Sequence, residues 1–180
     1  MIRFTDLICS LFGILILLPV FMVLFILCFF DTGRPLFIQK RIGHKQRTFK
    51  IIKFRSMQVD TPSIASHLAS VSSITKFGKL MRKSKLDELP QLWNVMLGQM
   101  SLVGPRPCLL NQKRLITERK KLGVFNARPG ITGLAQLKGI DMSKPKLLAE
   151  IDADMIKNLT FMTYLKYILL TVVGTKSKFQ

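Results

Sequence analysis

Residues 76–107 read KFGKLMRKSKLDELPQLWNVMLGQMSLVGPRP, and the rest of the chain is read outward from them. Phe77, Leu80 and Met81 fall on one face of a short amphipathic helix over Ile74 to Lys83, with cations opposite. Ser84 and Asp87 have capping-box-like spacing before a second apolar periodicity of Leu89, Leu92, Trp93 and Met96. Pro90 suits a helix only near its start. The spacing predicts helix, break, helix, with Asp87 and Glu88 at or close to the second amino terminus. Gly98 to Val103 then leads into the turn Gly104-Pro105-Arg106-Pro107.

Asp87 and Glu88 are the only adjacent acidic pair, and the only carboxylates between Asp60 and Glu118, in a chain with 28 Lys+Arg. One reading is that they merely complement a helix dipole, worth about 0.3–1 kcal/mol. The other is chemical. A helix amino terminus, with Arg82, Lys83, Lys85 and Arg106 nearby, keeps a carboxylate ionised, as a nucleophile or metal ligand requires. Prolines on both sides of Arg106 restrict its backbone, which suits a guanidinium held against a phosphate. An ordinary rigid turn would use the same residues.

Leu7 to Phe30 carries no charge. As one helix it would rise roughly 36 Å, enough for a hydrocarbon core of about 30 Å. It is too long for a signal peptide and no small-residue cleavage site follows. Cations crowd its carboxyl side, from Arg34 to Arg55, with only Arg3 before it. The positive-inside rule therefore places the body of the protein in the cytoplasm. Pro19 sits mid-run, where it either kinks a spanning helix or turns a re-entrant one back at Leu18-Pro19. These observations divide the chain into a membrane-inserted helix, 1–33, and a membrane-associated domain, 34–180.

Phe30 to Pro35 is a turn cluster, after which Leu36 to Gln39 and Phe49 to Phe54 read as strands around a Gly43-centred turn. Alternation puts Lys53 and Arg55 on one side of the second strand, aimed at a common anion. Gln58 to Ser73 reads as a mobile loop or lid, in which His67 is a surface histidine. Leu109 to Leu122 reads as a basic helix, and Phe125 to Gly139 as a glycine-punctuated loop suited to backbone contact with phosphate. Leu159 to Val173 is too short to span and reads as an interfacial or core helix. The fold class is α+β and mostly helical, with a short β element.

The net charge of +18 coexists with 48% hydrophobic residues and a mean hydropathy of +0.29. That combination fits a membrane-surface protein better than a nucleic-acid binder. Cys9, Cys28 and Cys108 show neither disulfide nor zinc spacing, pointing to a reducing compartment.

With these residues in place, the chain resembles the bacterial sugar transferases, small monotopic phosphoglycosyl transferases. The likeness runs from the apolar segment with its central proline through IQKRIG, FKIIKFRSM and LDELPQLWNVMLGQMSLVGPRP to ARPGITGLAQLKG. It implies transfer of a phospho-sugar from a UDP-sugar to undecaprenyl phosphate, with release of UMP. It also implies Asp87 as nucleophile, Glu88 as its partner and Mg²⁺ at the pair. Lys53, Arg82, Arg106 and Arg128 would surround the phosphates, with Arg41 and Arg55 as further candidates. Asp152 matches an acidic position, either substrate-binding or part of a surface salt bridge. The implied setting is the cytoplasmic face of a bacterial inner membrane, at a re-entrant hairpin. There the enzyme starts a surface glycan that downstream glycosyltransferases extend, with no nucleic-acid partner.

The chain departs from the family pattern at Leu18, often Ser; at Gln99, often Asp; and at Ile140, where many members carry Arg after Asn-Gly. The alternative function is a membrane-anchored, non-catalytic scaffold or a module binding anionic lipid or nucleic acid. It leaves the isolation of Asp87 and Glu88 unexplained.

Overall fold

The computed structural model describes residues 1–59, 61 and 73–174. The fold is mostly helical α+β. Helix α1 spans Ile2–Ile16 and α2 spans Leu18–Thr32, with Pro19 in the first turn of α2. A proline there loses no helical hydrogen bond of its own, which is why the break falls just before it. The two halves are bent by 65° at the break. No single helix among the described residues is long and apolar enough to cross a membrane, whereas the bent pair together meets that test. The helix is thus broken at Pro19, and a bend of this size accommodates both expected arrangements, a kinked span and a re-entrant pair.

The pair packs on the rest of the chain. Gly13 lets α1 approach Leu92, where an added Cβ would stand 3.2 Å from a side-chain methyl. At the start of α1, buried Asp6 accepts hydrogen bonds from the Leu102 amide (2.8 Å), Ser101 Oγ (3.0 Å) and Tyr164 Oη (2.6 Å). Leu24 and Cys28 of α2 form a buried cluster with Phe54 and Met81. Phe4, Leu15, Ile16, Met22 and Phe30 stay more than half exposed. The apolar helices therefore share a core with residues 34–174 while leaving a wide apolar face uncovered.

Strands β1 (Leu36–Ile42) and β2 (Thr48–Phe54) pair antiparallel, Phe37 opposite Lys53, around a tight tip at His44–Gln46. Lys45 and Gln46 take left-handed φ at that tip, just beyond the expected Gly43. Helix α3 (Lys76–Ser84) follows Thr75, whose hydroxyl accepts from the Gly78 amide at 2.8 Å. Helix α4 (Gln91–Met96) is locked to β2 by Asn94, which accepts from Ile52 N (3.1 Å) and donates to Lys50 O (2.8 Å). Strand β3 (Ser101–Val103) pairs in parallel with β4 (Gly130–Thr132), forming a second two-stranded sheet. Helices α5 (Lys113–Lys121), α6 (Leu134–Leu137), α7 (Pro145–Lys157) and α8 (Phe161–Val172) complete the fold.

The expected loop over 125–139 is more ordered than glycine content suggests, since it holds a 3-10 turn, β4 and α6. Gly130 is there for close approach, because its Cβ would collide with the Gly104 backbone. Helix α8 buries Tyr164 and exposes Met162, Leu169 and Val172. The loop over 58–73, with His67, lies for the most part outside the described residues.

Candidate active site

Helix α3 ends where Lys85 takes left-handed φ (58°), and a 3-10 turn, Leu86–Glu88, follows before α4. The expected Ser84 cap does not form. Ser84 Oγ donates back to Leu80 O (2.9 Å) and Met81 O (3.1 Å), as a hydroxyl in a last helical turn readily does. Asp87 and Glu88 therefore project from the connection between two helices rather than from the first turn of α4.

The two carboxylates are unequal. Glu88 Oε1 accepts from Lys53 Nζ at 2.9 Å and from Arg106 Nη2 at 2.6 Å. Burial pushes the Glu88 carboxyl up, but Arg106 and Lys53 outweigh it and hold the group well below the usual carboxylate range. Glu88 in turn raises the Arg106 pKa. Burial lowers Lys53, with Glu88 working against it. Asp87 is 8% exposed, and among the described residues its carboxylate makes no hydrogen bond or ion pair. Burial first, then the Glu88 charge, raise its pKa above the ordinary 3.8, opposed by Lys53, Arg82 and Arg106. One member of the pair is clamped, and the other has no hydrogen bond or ion pair among the described residues.

A cavity of about 560 Å³ opens over the pair. It brings together Arg41, Lys53, Arg55, Arg82, Asp87, Glu88 and Arg106. Arg82 Nε donates to Ser56 Oγ at 3.0 Å. Arg55 is turned back onto the Arg34 (2.9 Å) and Leu36 (3.3 Å) carbonyls and lies over the Phe37 ring. Arg41 donates to Pro107 O (3.1 Å) and Gln39 Oε1 (2.6 Å), and its buried Nε has no partner among the described residues. Burial, then repulsion from Arg106, lower its pKa to about 10.

Two nominated residues are not among those lining the cavity. Arg128 Nε donates to Gly98 O at 3.0 Å. Asp152 is 1% exposed and pairs with Arg119, so a salt bridge is present but in the interior, where a surface one was expected. The departure at Gln99 is absorbed structurally, since Gln99 accepts from Asn94 at 2.7 Å. Ile140 does line the cavity, beside Met142, Ile131 and Leu148, and makes that wall apolar. Sequence reasoning missed Ser56, Gln136 and Asp141 in the lining, none of which has a distinctive local pattern, whereas Lys85 lines it as one of the cations expected near the pair.

A second cavity, about 490 Å³, is lined by Ile14, Leu18, Phe21, Phe25, Pro90, Trp93 and other apolar residues at the helix break. Phe54 lines both cavities. No group of three or more His, Cys, Asp or Glu able to hold a metal occurs among the described residues. Mg²⁺, however, is commonly held by one or two carboxylates plus substrate phosphates and water, a donor set that the pair can begin.

The family profile described as bacterial sugar transferase matches residues 1–178. The chain is similar to the UDP-galactose-lipid carrier transferase of Erwinia amylovora, 36% identical over 176 residues, which cover 87% of this chain and 36% of that protein. It is similar to the exopolysaccharide production protein PSS of Rhizobium leguminosarum bv. phaseoli, 34% identical over 188 residues, with 96% and 93% covered. It is also similar to the UDP-glucose:undecaprenyl-phosphate glucose-1-phosphate transferase of Caulobacter vibrioides, 36% identical over 151 residues, with 78% and 56% covered. It spans little more than a third of the Erwinia protein but nearly the whole of the Rhizobium one. By the full-length match of its sequence, this chain belongs to the bacterial sugar transferase family.

Proposed function

We propose that this protein moves a phospho-sugar from a UDP-sugar to a polyprenyl phosphate, with Asp87 as the nucleophile. The observation that carries the reading is the unequal pair. Asp87 is buried and unbonded among cations, while Glu88 is fixed between Lys53 and Arg106. A carboxylate without partners keeps its lone pairs available, and the cations around it favour approach of a diphosphate. Arg41, Lys53, Arg55, Arg82, Lys85 and Arg106 face the cavity against Asp87, Glu88 and Asp141, a surplus suited to a polyanion.

In the first half-reaction an Asp87 oxygen bonds to the sugar-bearing phosphorus. The bond from that phosphorus to the bridging oxygen breaks, and UMP leaves with the oxygen. In the second, an oxygen of the polyprenyl phosphate attacks the same phosphorus and the Asp87 carboxylate leaves, giving a polyprenyl diphosphate-sugar. Both nucleophiles are already anionic, so no histidine base is required. Arg106, Lys53 and Arg82 orient the donor and offset charge on the transferring group. Asp87 and Glu88 would hold Mg²⁺, which when bound supplies Lewis-acid neutralisation of phosphate charge.

The lipid acceptor is supported by the apolar cavity that meets the polar one at Phe54. The exposed apolar face of α1 and α2 supports insertion of the bent pair into a membrane. The cations that follow α2 support a setting on the cytoplasmic face of a bacterial inner membrane. The relatives named for exopolysaccharide production and galactose-lipid transfer support a first step of surface-glycan assembly.

The test supplies undecaprenyl phosphate, Mg²⁺ and a broad panel of UDP-sugars to the purified full chain and measures UMP. Donor-dependent UMP release is expected, with a phospho-sugar adduct that Asp87→Asn abolishes. The reading is falsified if no donor in the panel releases UMP from folded protein. An adduct retained in Asp87→Asn moves the nucleophile elsewhere.

A further inference from the structure

The turn carrying Arg106 is held at consecutive carbonyls. Pro105 O accepts from the Gly130 amide (2.9 Å), Arg106 O from Arg119 Nη1 (2.8 Å), Pro107 O from Arg41 Nη1 (3.1 Å) and Cys108 O from the Ile42 amide (3.0 Å). The donors come from β4, α5 and β1, so parts of the chain far apart in sequence converge on one turn. Arg119 is unlike the others. It reaches from α5, it is 2% exposed, and its Nε (3.0 Å) and Nη2 (2.6 Å) both donate to Asp152 Oδ2 on α7.

Stability alone explains this pair poorly. Taking a guanidinium and a carboxylate out of water costs about as much as their attraction returns, and apolar replacements are often as stable. The pair also leaves Asp152 Oδ1 buried without a partner among the described residues. The arm of Arg119 that reaches Arg106 O does something an apolar pair could not. It fixes the peptide from which the Arg106 guanidinium extends to Glu88.

We propose that Arg119, oriented by Asp152, is a positioning residue that sets where Arg106 meets the donor phosphates. The proposal rests on the transferase reading of the Asp87 site and adds a residue that touches neither substrate. Asp152 holds the Arg119 fork in one plane, and a planar fork can serve a carboxylate and a carbonyl together. A lysine offers only a point charge and cannot span both.

The experiment measures kcat, KM and melting midpoint for the full chain. It uses the double variant Arg119→Met/Asp152→Leu, the single variant Arg119→Lys, and each of these combined with Arg106→Ala. With Arg106 present, kcat/KM is expected to fall roughly ten- to hundred-fold in both, a misplacement effect, while the double variant melts near the parent. In the Arg106→Ala background the same changes are expected to cost less than about two-fold, because their effect passes through Arg106. Equal fold-losses in both backgrounds overturn the proposal, as does parental turnover in the double variant. If the double variant does not fold, Arg119→Lys alone decides by the same comparison.

If the parent releases no UMP with any donor, the transferase reading has failed, and amide hydrogen exchange at Gly130, whose acceptor is Pro105 O, decides the remaining part, that Arg119 fixes the Arg106 turn. Faster exchange in the variants supports it, and unchanged exchange overturns it.

Discussion

Asp87→Asn and Glu88→Gln change neighbouring residues in the same chemical way, yet the structure assigns them different consequences. Glu88 Oε1 accepts two charge-assisted hydrogen bonds, from Lys53 and Arg106. Such bonds are worth about 1.5–3 kcal/mol each, against about 0.5–1.5 kcal/mol for the neutral bonds a glutamine oxygen could keep. The difference is about 1 kcal/mol per bond, and Lys53 and Arg106 also lose their counter-charge. Glu88→Gln should therefore cost about 2–4 kcal/mol, or roughly 5–15 °C in melting midpoint for a chain of this size. Asp87→Asn breaks no hydrogen bond or ion pair among the described residues and removes a buried charge. Its midpoint should equal or exceed the parent's while transfer is abolished.

The lone tryptophan, Trp93, serves as the optical probe for detergent-solubilised protein at neutral pH. Acid gives a second check with a definite sign. A depressed folded-state pKa means that Glu88 stabilises fully above its ordinary 4.5, and that this contribution fades as pH falls through the lower folded value. The gap between parent and Glu88→Gln should thus close on acidification. A raised Asp87 pKa acts the other way, its contribution being present below 3.8 and lost as pH rises. Equal destabilisation by Asp87→Asn and Glu88→Gln, or a Glu88→Gln midpoint matching the parent, would refute the division of roles.

Further outcomes follow from the same geometry. The acid limb of kcat/KM in the free enzyme should lie above 3.8, because Asp87 must ionise against burial and Glu88; a limb at or below that value counts against Asp87. Arg106→Ala should lower kcat/KM by about 10²–10³, the scale of losing one fixed donor to developing charge; a loss under about tenfold would demote it. Gly130→Ala should abolish folding or cost more than about 3 kcal/mol, since its Cβ meets the Gly104 backbone; a parental melting curve would show that β3 and β4 can separate. Asp6→Ala should cost about 2–4 kcal/mol by stranding buried Tyr164 and Ser101 hydroxyls, and should expose α1 to protease; resistance equal to the parent's would place the anchor elsewhere.

Much of this fold is written locally. The break before Pro19, the β1–β2 hairpin and the helices on either side of Asp87 follow from proline placement and apolar periodicity over a few residues. Lys53 and Arg55 both line the cavity, but β2 ends at Phe54 and Arg55 is turned back onto the Arg34 and Leu36 carbonyls, so alternation accounts only for Lys53. What stayed hidden depends on long-range contact. Arg119 is one of many cations on a basic helix, and its burial beside Asp152 depends on how α5 and α7 pack. Asp6 stands at the edge of an apolar run, and its hydrogen-bond donors among the described residues come from β3 and α8. The Ser84 cap failed because Lys85 adopts a left-handed conformation and separates the helix end from the 3-10 turn. Gln99 in place of an acid means little for the site, because it is paired to Asn94.

The inequality of Asp87 and Glu88 also explains how so basic a site stays assembled before a donor arrives. Lys53 on β2 and Arg106 on the turn after β3 would repel one another across the cavity. A single Glu88 oxygen, reached by both at 2.9 and 2.6 Å, holds them together. Arg41, Arg55 and Arg82 are steadied in the same period by carbonyl, amide and hydroxyl oxygens, which carry no net charge. Those three are therefore fixed in position without a carboxylate partner among the described residues, the condition for electrostatic stabilisation without reorganisation. Asp87 can be left without a partner only because its neighbour has taken on the work of binding the cations. A clamped glutamate is what allows an unpaired aspartate beside it, as the proposed nucleophile requires.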